Sequence, residues 1–206
     1  MVKNRHPGKF IVIEGLDGSG KSTQTALLAN HLRDRGVSVY ATLEPTQYLI
    51  GGLIRSFLAN DWKSSPQCLQ LLFAADRAHH LDKEIIPLLK AGSTVVCDRY
   101  FFSSFAYGAL DCDPEWLIEA NREFIMPDLT VMLESNPRNC IKRMSRERIS
   151  VELFEREAML KRVWQNYKKI AARFDGKTKI VIVDGDRAIG EIFESIKKIV
   201  ADSVKC

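Results

Sequence analysis

The stretch from Gly15 to Ser22 reads GLDGSGKS and matches the spacing G-x-x-x-x-G-K-[ST]. Glycines adopt backbone angles that let a chain wrap an anion with its own amides. Lys21 would add a positive charge for the β- and γ-phosphates, and the hydroxyl of Ser22 would reach magnesium. We therefore predict a phosphate-binding loop rather than a plain glycine-rich turn, formed by Gly15, Leu16, Asp17, Gly18, Ser19, Gly20, Lys21, Ser22 and Thr23.

A second pair of candidate residues, Asp98 and Arg99, follows the apolar run TVVCD. Ligands of open α/β sheets bind beyond the carboxyl ends of the strands, where these residues would lie. Asp98 could hold magnesium directly or through water, and Arg99 could bridge a donor and an acceptor phosphate. A structural ion pair at the strand end is the alternative.

The run KRMSRER, residues 142–148, carries four basic side chains at the end of a predicted helix. Phosphoryl transfer spreads negative charge over the moving group, and arginines on a closing segment would offset that charge and help to exclude water. We predict a short mobile lid at about residues 143–151, with Arg143, Arg146 and Arg148 as catalytic residues. The alternative is a solvated helix face.

The helical stretch LLFAADRAHH places Phe73 and Arg77 on one face, because they are four residues apart. An aromatic ring and a planar guanidinium could stack on a base and bond its edge. Taken alone, the simpler interpretation is Phe73 in the core and Arg77 at its rim. His79 and His80 are adjacent, so their side chains point apart, and we predict that both lie on a solvated helix face.

Composition limits the class of protein. The length of 206 residues predicts one domain, over residues 1–206. The net charge of +4 favours anionic ligands but is too small to predict a nucleic-acid partner. No run approaches the roughly 18 apolar residues of a membrane span. The five cysteines contain no C-x-x-C pair, and we expect a reducing cytoplasm.

Five short, nearly continuous apolar runs alternate with helical stretches. This alternation predicts an α/β fold whose parallel sheet is covered by helices on both faces. Ser65 with Pro66, and Asn136 with Pro137, are helix-start signals. We predict strands at residues 10–14, 37–43, 94–98, 129–134 and 179–184, and C-terminal helices at about 153–174 and 189–204.

The motifs GLDGSGKST, LEP, LLFAADR and DRYFFSSFAY, together with the Arg-rich segment, resemble thymidylate kinases over essentially the whole chain. The resemblance implies a P-loop NTPase fold with a five-stranded parallel sheet flanked by helices, and a homodimer. It also implies magnesium-dependent transfer of the ATP γ-phosphate to dTMP, which gives dTDP.

On the base and sugar side, the resemblance implies that Phe73 stacks on thymine and that Arg77 bonds its O4 edge. This reverses the simpler interpretation of that helix. Ser104 matches a polar residue that reads thymine N3, and Tyr107 matches an aromatic residue that crowds the sugar 2′ position and favours deoxyribose.

On the phosphate side, the resemblance implies that Arg55 holds the acceptor phosphate and that Arg99 lies between the two phosphates. Asp17 matches an acidic residue near the acceptor 3′-hydroxyl and the metal. Ser22 and Asp98 are the metal-site candidates.

Three positions depart from the family pattern. Gly18 stands where some members carry arginine, so the positive charge of that arginine would come from the lid instead. Gly108 stands where many relatives have Gln or Thr, and Ser150 where many lids have Glu. The departures at Gly108 and Ser150 bear on recognition of the base and of the donor nucleotide rather than on phosphate binding.

Other functions are weighed against this one. No N-K-x-D guanine motif occurs, which argues against a signalling GTPase, and the low net charge argues against a nucleic-acid-stimulated ATPase. A kinase of another monophosphate, such as dUMP or UMP, stays open. A non-catalytic nucleotide-binding protein is disfavoured because the lid and the Asp98–Arg99 pair are intact.

Overall fold

A five-stranded parallel sheet forms the centre of the computed structural model, which describes residues 1–144 and 151–203, with the backbone alone at 151–155 and 203. Its strand order is β3-β4-β2-β6-β7, and the predicted sheet is confirmed. The bounds are β2 Phe10–Gly15, β3 Val39–Leu43, β4 Thr94–Asp98, β6 Leu129–Glu134 and β7 Lys179–Asp184.

Helices connect the strands and cover the sheet. Ser65 caps α3 as predicted, since its hydroxyl accepts a hydrogen bond from the Cys68 amide. The predicted helix after Asn136 is described as far as Met144. The bounds are α1 Lys21–Asp34, α2 Leu49–Leu58, α3 Pro66–His80, α4 Ile86–Lys90, α5 Phe101–Gly108, α6 Pro114–Ala120, α7 Pro137–Met144, α8 Val151–Arg173 and α9 Ile189–Ser203.

The central strand β2 is buried on both faces, which explains its unbroken apolar sequence. Phe10 and Val12 pack into a core with α5 and α8, whereas Ile11 and Ile13 pack into a second core with α1 and α9. The period of two along the strand thus divides one apolar run between two helical layers.

Two short features have no sequence signal. The strands β1, Val2–Lys3, and β5, Ile125–Met126, form a separate parallel pair. A π-helical turn, Leu81–Ile85, continues directly from α3. Among the described residues, no helix is long and apolar enough to cross a membrane.

The strand register brings three carboxyl ends together. Asp98 at the end of β4 lies opposite Ile13 of β2 on one side and Leu43 of β3 on the other. The residues that follow these strands therefore meet at one edge of the sheet, where ligands of such folds bind.

Candidate active site

The loop after β2 has the backbone that its glycines predict. Gly15, Gly18 and Gly20 have φ angles of 149°, 79° and 94°. Gly20 precedes α1 and supplies no side-chain cap, so the first amides of that helix stay available to an anion. A Cβ atom on Gly18 would lie 2.4 Å from the carbonyl oxygen of Cys140, so the loop excludes an arginine at this position.

A cavity of about 360 Å³ lies against this loop, where the phosphates of a donor nucleotide would bind. Arg143, at the end of α7, lies in it and donates to the carbonyl oxygen of Gly185 at 3.2 Å. Arg146, Arg148 and Ser150 lie outside the described residues. The lining residues are Gly18, Ser19, Gly20, Lys21, Ser22, Thr23, Gln24, Arg143, Gly185, Arg187, Ile189 and Ile192.

Lys21 is the buried cation of the loop. It is 5% exposed, and its Nζ donates to the carbonyl oxygen of Leu16 at 2.7 Å. Burial and, to a smaller extent, the charge of Arg99 lower the pKa of Lys21 to about 8, against the opposing effect of Asp98 and Asp17. A bound phosphate would place a negative charge beside Lys21 and so stabilise its protonated form.

The two predicted metal-site residues, Ser22 and Asp98, are in direct contact, since the Ser22 hydroxyl donates to Asp98 Oδ2. Asp98 Oδ1 is buried and has no hydrogen-bond partner in the part of the chain that the structure describes. The described residues hold no cluster of three or more His, Cys, Asp or Glu side chains suited to a metal. A nucleotide-bound Mg²⁺ needs only one or two protein oxygens beside phosphates and water, so this pair fits it.

A second cavity, of about 290 Å³, is lined by Asp17 of the loop and by most of the predicted substrate residues. Arg55 is not in its lining: Nη1 of Arg55 donates to the carbonyl oxygen of Thr46, next to Pro45, which does line it. The predicted residues among the lining are Asp17, Phe73, Arg77, Arg99, Ser104 and Tyr107.

Arg77 is held by three side chains beneath this cavity. It is 1% exposed; Nε donates to Glu44 Oε2 at 2.9 Å, Nη2 to Ser104 Oγ at 3.1 Å, and Nη1 to Asn121 Oδ1. Phe73 is half-buried. Arg77 is thus more deeply buried than Phe73, and the interpretation with Phe73 in the core and Arg77 at the rim is wrong. Burial of the guanidinium is possible because the carboxylate of Glu44 neutralises its charge. No sequence signal pointed to Asn121.

The prediction that His80 lies on a solvated face is also wrong. His80 is fully buried, with Nδ1 3.2 Å from Glu44 Oε1 and Nε2 2.8 Å from Thr42 Oγ1. His79 is half-buried, with its ring centre 5.1 Å from that of Tyr48. The sequence pattern could not show that Thr42 of β3 and Glu44, which follows it, cover the face of α3 on which His80 lies.

Arg99 lines the second cavity and pairs with a residue of the phosphate loop. Its φ of 71° lies in the left-handed region, a conformation that costs roughly 1–2 kcal/mol outside glycine. The guanidinium pairs with Asp17 Oδ1 rather than with Asp98, donates to Ser103 Oγ at 2.7 Å, and lies 5.3 Å from the ring centre of Tyr107. The structure therefore gives Arg99 a position between the loop and the second cavity.

Asp17 and Tyr107 complete this arrangement. The Tyr107 hydroxyl accepts from the Asp17 amide at 3.0 Å and lies 3.2 Å from Asp17 Oδ2, to which it donates. Burial raises the pKa of Tyr107 to about 12, so the hydroxyl keeps its proton. Burial alone would raise the pKa of Asp17, but Arg99 and Lys21 outweigh it and hold the pKa below its ordinary value. Asp17 is thus a carboxylate at neutral pH.

Glu14 is a residue that the sequence analysis missed. It is fully buried and accepts hydrogen bonds from the Tyr100 amide at 2.8 Å, the Ser103 hydroxyl at 2.6 Å and the Tyr167 hydroxyl at 2.9 Å. Burial raises its pKa, although the charge of Arg99 opposes this. Glu14 thus anchors the start of α5. In the sequence, its position near the end of an apolar strand was the only sign of this role.

The fold and the site together define a P-loop kinase that acts on a nucleoside monophosphate. A phosphate loop on a five-stranded parallel sheet lines one cavity, and a second cavity is lined by aromatic and guanidinium groups together with Asp17 of the same loop. Direct transfer between two phosphate groups requires a site for each, with an arginine to neutralise the charge between them.

Comparison with known proteins specifies the family. The profile of the thymidylate kinase family matches residues 13–196. A probable thymidylate kinase of Thermococcus gammatolerans is 39% identical over 206 residues, covering 96% of this chain and 98% of that protein. One of Thermococcus onnurineus is 44% identical over 80% of this chain and 85% of its own, and the thymidylate kinase of Desulfotalea psychrophila is 40% identical over 78% and 80%. This chain belongs to the thymidylate kinase family.

Proposed function

We propose that this protein transfers the γ-phosphate of ATP to dTMP and so forms dTDP and ADP. Family membership supports this activity. The observation that carries the acceptor assignment is the second cavity, where the half-buried ring of Phe73 and the buried guanidinium of Arg77 line one space beside the phosphate loop.

On the acceptor side, the ring of Phe73 stacks on thymine, and Arg77 donates to the O4 carbonyl. Arg77 is suited to this because a guanidinium is a donor without acceptor capacity, which favours a carbonyl over the exocyclic amine of cytosine. Ser104, which accepts a hydrogen bond from Arg77, would read thymine N3. Tyr107 crowds the sugar 2′ position and favours deoxyribose.

On the phosphate side, the loop amides and Lys21 bind the β- and γ-phosphates, and Arg99 neutralises charge between donor and acceptor. Asp17 orients Arg99 through their ion pair, and Arg55 holds the acceptor phosphate. Ser22 and Asp98 would hold Mg²⁺, which supplies further charge neutralisation when bound.

The lid arginines complete the proposal. Arg143 lies in the donor-side cavity, where it would contact ATP. Arg146 and Arg148 follow it in the sequence, within the proposed lid at about residues 143–151. They would supply the charge that the loop cannot carry at Gly18.

A coupled assay of ADP release with dTMP, dUMP, UMP, CMP and AMP tests the acceptor. We expect the highest kcat/KM with dTMP, a lower value with dUMP, and little turnover of UMP. Lys21→Ala serves as the inactive control for contaminating kinases. Equal kcat/KM values for UMP and dTMP would instead favour a uridylate kinase.

We also propose a homodimer in the cytoplasm. The support for the dimer is an exposed apolar face on α2, where Leu49 is 83% and Leu53 45% exposed one turn apart. Analytical ultracentrifugation should show a dimer that Leu49→Glu converts to monomer. Val2→Glu, at another exposed apolar residue, should leave the dimer intact. A monomeric parent protein would overturn the proposal.

The cytoplasmic location is supported by the free cysteines of the described residues. Cys68, Cys97, Cys112 and Cys140 suit a reducing compartment.

A further inference from the structure

One stripe of α3 carries three side chains that face the second cavity, which we call the acceptor cavity after its proposed function. Gln70, Phe73 and Arg77 follow one another at spacings of three and four residues, so they share a face of the helix, and all three line the cavity. Phe73 and Arg77 have proposed roles at the base. Gln70 has none so far.

The carboxamide of Gln70 is buried without a partner for its oxygen. The residue is 8% exposed, and Oε1 has no hydrogen bond among the described residues. Native proteins rarely leave a buried amide oxygen unpaired, because it has lost its bonds to water without replacing them. A ligand in the cavity would supply the missing partner.

Gly108 provides the space for this carboxamide. A Cβ atom on Gly108 would lie 2.9 Å from Gln70 Cδ and 3.0 Å from Oε1. Gly108 ends α5 and also lines the acceptor cavity. The absence of a side chain at Gly108, one of the three departures from the family pattern, thus coincides with a polar group that α3 places at the same spot.

We infer that Gln70 is a specificity-determining residue that hydrogen-bonds the base edge of the acceptor nucleotide. A carboxamide presents both an acceptor and donors, and the thymine edge carries an N–H between two carbonyls, so Oε1 would share the N3 proton with Ser104 and Nε2 would donate to a carbonyl. Gln70 lies on the same helix face as Phe73 and Arg77, which would contact that base. This inference rests on the proposed assignment of dTMP as acceptor.

The test compares Gln70→Met with Gln67→Met. Methionine keeps the length and apolar stem of the side chain and removes its hydrogen bonds. Gln67 is the matched control, because it lies on the same helix, is exposed and does not line the cavity. Gln70→Met should raise the KM for dTMP about tenfold, the loss expected for one hydrogen bond, with kcat and the KM for ATP within about twofold of the parent.

Two ligands separate a base contact from a general structural effect. Thymidine carries the base without the phosphate, and 2-deoxyribose 5-phosphate carries the phosphate without the base. In calorimetric titrations or competition against dTMP, Gln70→Met should weaken thymidine about tenfold and leave 2-deoxyribose 5-phosphate unchanged. Gln67→Met should change neither.

Unchanged thymidine binding in Gln70→Met overturns the inference, and so does equal weakening of both ligands. If Gln70→Met does not fold, Gln70→Asn decides, since it keeps an uncharged carboxamide but withdraws it from the base edge by one methylene group. It should then weaken thymidine selectively. A parent protein that does not phosphorylate dTMP refutes the proposed function and this inference together, whereas an active parent with an unaffected Gln70→Met refutes the inference alone.

Discussion

Arg77 and Glu44 form a salt bridge inside the protein, with 2.8 Å between Nη2 and Oε2 and no more than 3% of either side chain exposed. Glu44 follows β3 and Arg77 belongs to α3, so the bridge joins an edge strand of the sheet to the helix that lines the acceptor cavity. A buried pair of this kind is costly to break from one side, because the remaining charge stays uncompensated.

Glu44→Gln should therefore destabilise the protein and weaken acceptor binding. We expect the free energy of unfolding to fall by about 3 kcal/mol or more, together with a higher KM for dTMP, because Arg77 loses its charged partner. Urea unfolding and steady-state kinetics measure the two effects. Glu119→Gln is the control, since it breaks an exposed pair with Arg122 and should cost less than about 1 kcal/mol. Equal losses in both variants would contradict the argument.

Arg99→Ala should lower kcat by about two to three orders of magnitude, the loss typical of removing one group that stabilises transition-state charge. The thermal midpoint should stay close to that of the parent, because Arg99 pairs with a partly exposed Asp17 near the surface of the site. Rapid-quench measurement of the transfer step reports the chemistry directly. Arg122→Ala is the control for loss of an arginine elsewhere, and near-normal turnover by Arg99→Ala would refute its role.

ATP affinity should fall as the pH rises through about 8, the pKa to which burial lowers Lys21 in the free protein. The lysine is protonated below that pH and neutral above it, whereas bound phosphates raise its pKa. ATP binding near pH 8.5 should therefore take up protons. Calorimetry in buffers of different ionisation enthalpy measures this uptake.

The matched variant for this pH effect is Lys21→Arg, whose guanidinium stays charged across the range. Its ATP dissociation constant should change little between pH 7 and pH 9, and its binding should take up no proton. Identical pH profiles of the two proteins would exclude Lys21 as the titrating group.

Gly108→Ala should raise the KM for dTMP several-fold, because the new Cβ displaces the carboxamide of Gln70. Overpacking of this kind costs about 1–3 kcal/mol, so the free energy of unfolding should also fall. Gly190→Ala introduces the same methyl group in α9, where no heavy atom lies within 4 Å, and should affect neither quantity. A Gly108→Ala variant with parental KM would show that the carboxamide adjusts without loss.

The phosphate loop and the sheet were predictable from the sequence because they depend on local patterns. The glycine spacing of residues 15–20 determines the backbone of the loop, and the two helix-start signals place α3 and α7 correctly. The five strands differ from prediction by at most two residues, at the start of β3. Residues 145–150 carry the rest of the lid prediction and lie outside the described residues.

The tertiary structure alone decided how the acceptor cavity is built. Sequence spacing places Phe73 and Arg77 on one helix face, but which groups cover that face depends on contacts far along the chain. Glu44 and Asn121 bury Arg77, Gly108 admits Gln70, and no local pattern contains these pairings. The sequence by itself determined the fold class and the phosphate site, since backbone geometry and apolar periodicity act over short distances. Burial and partner choice came from packing, which brings distant residues together.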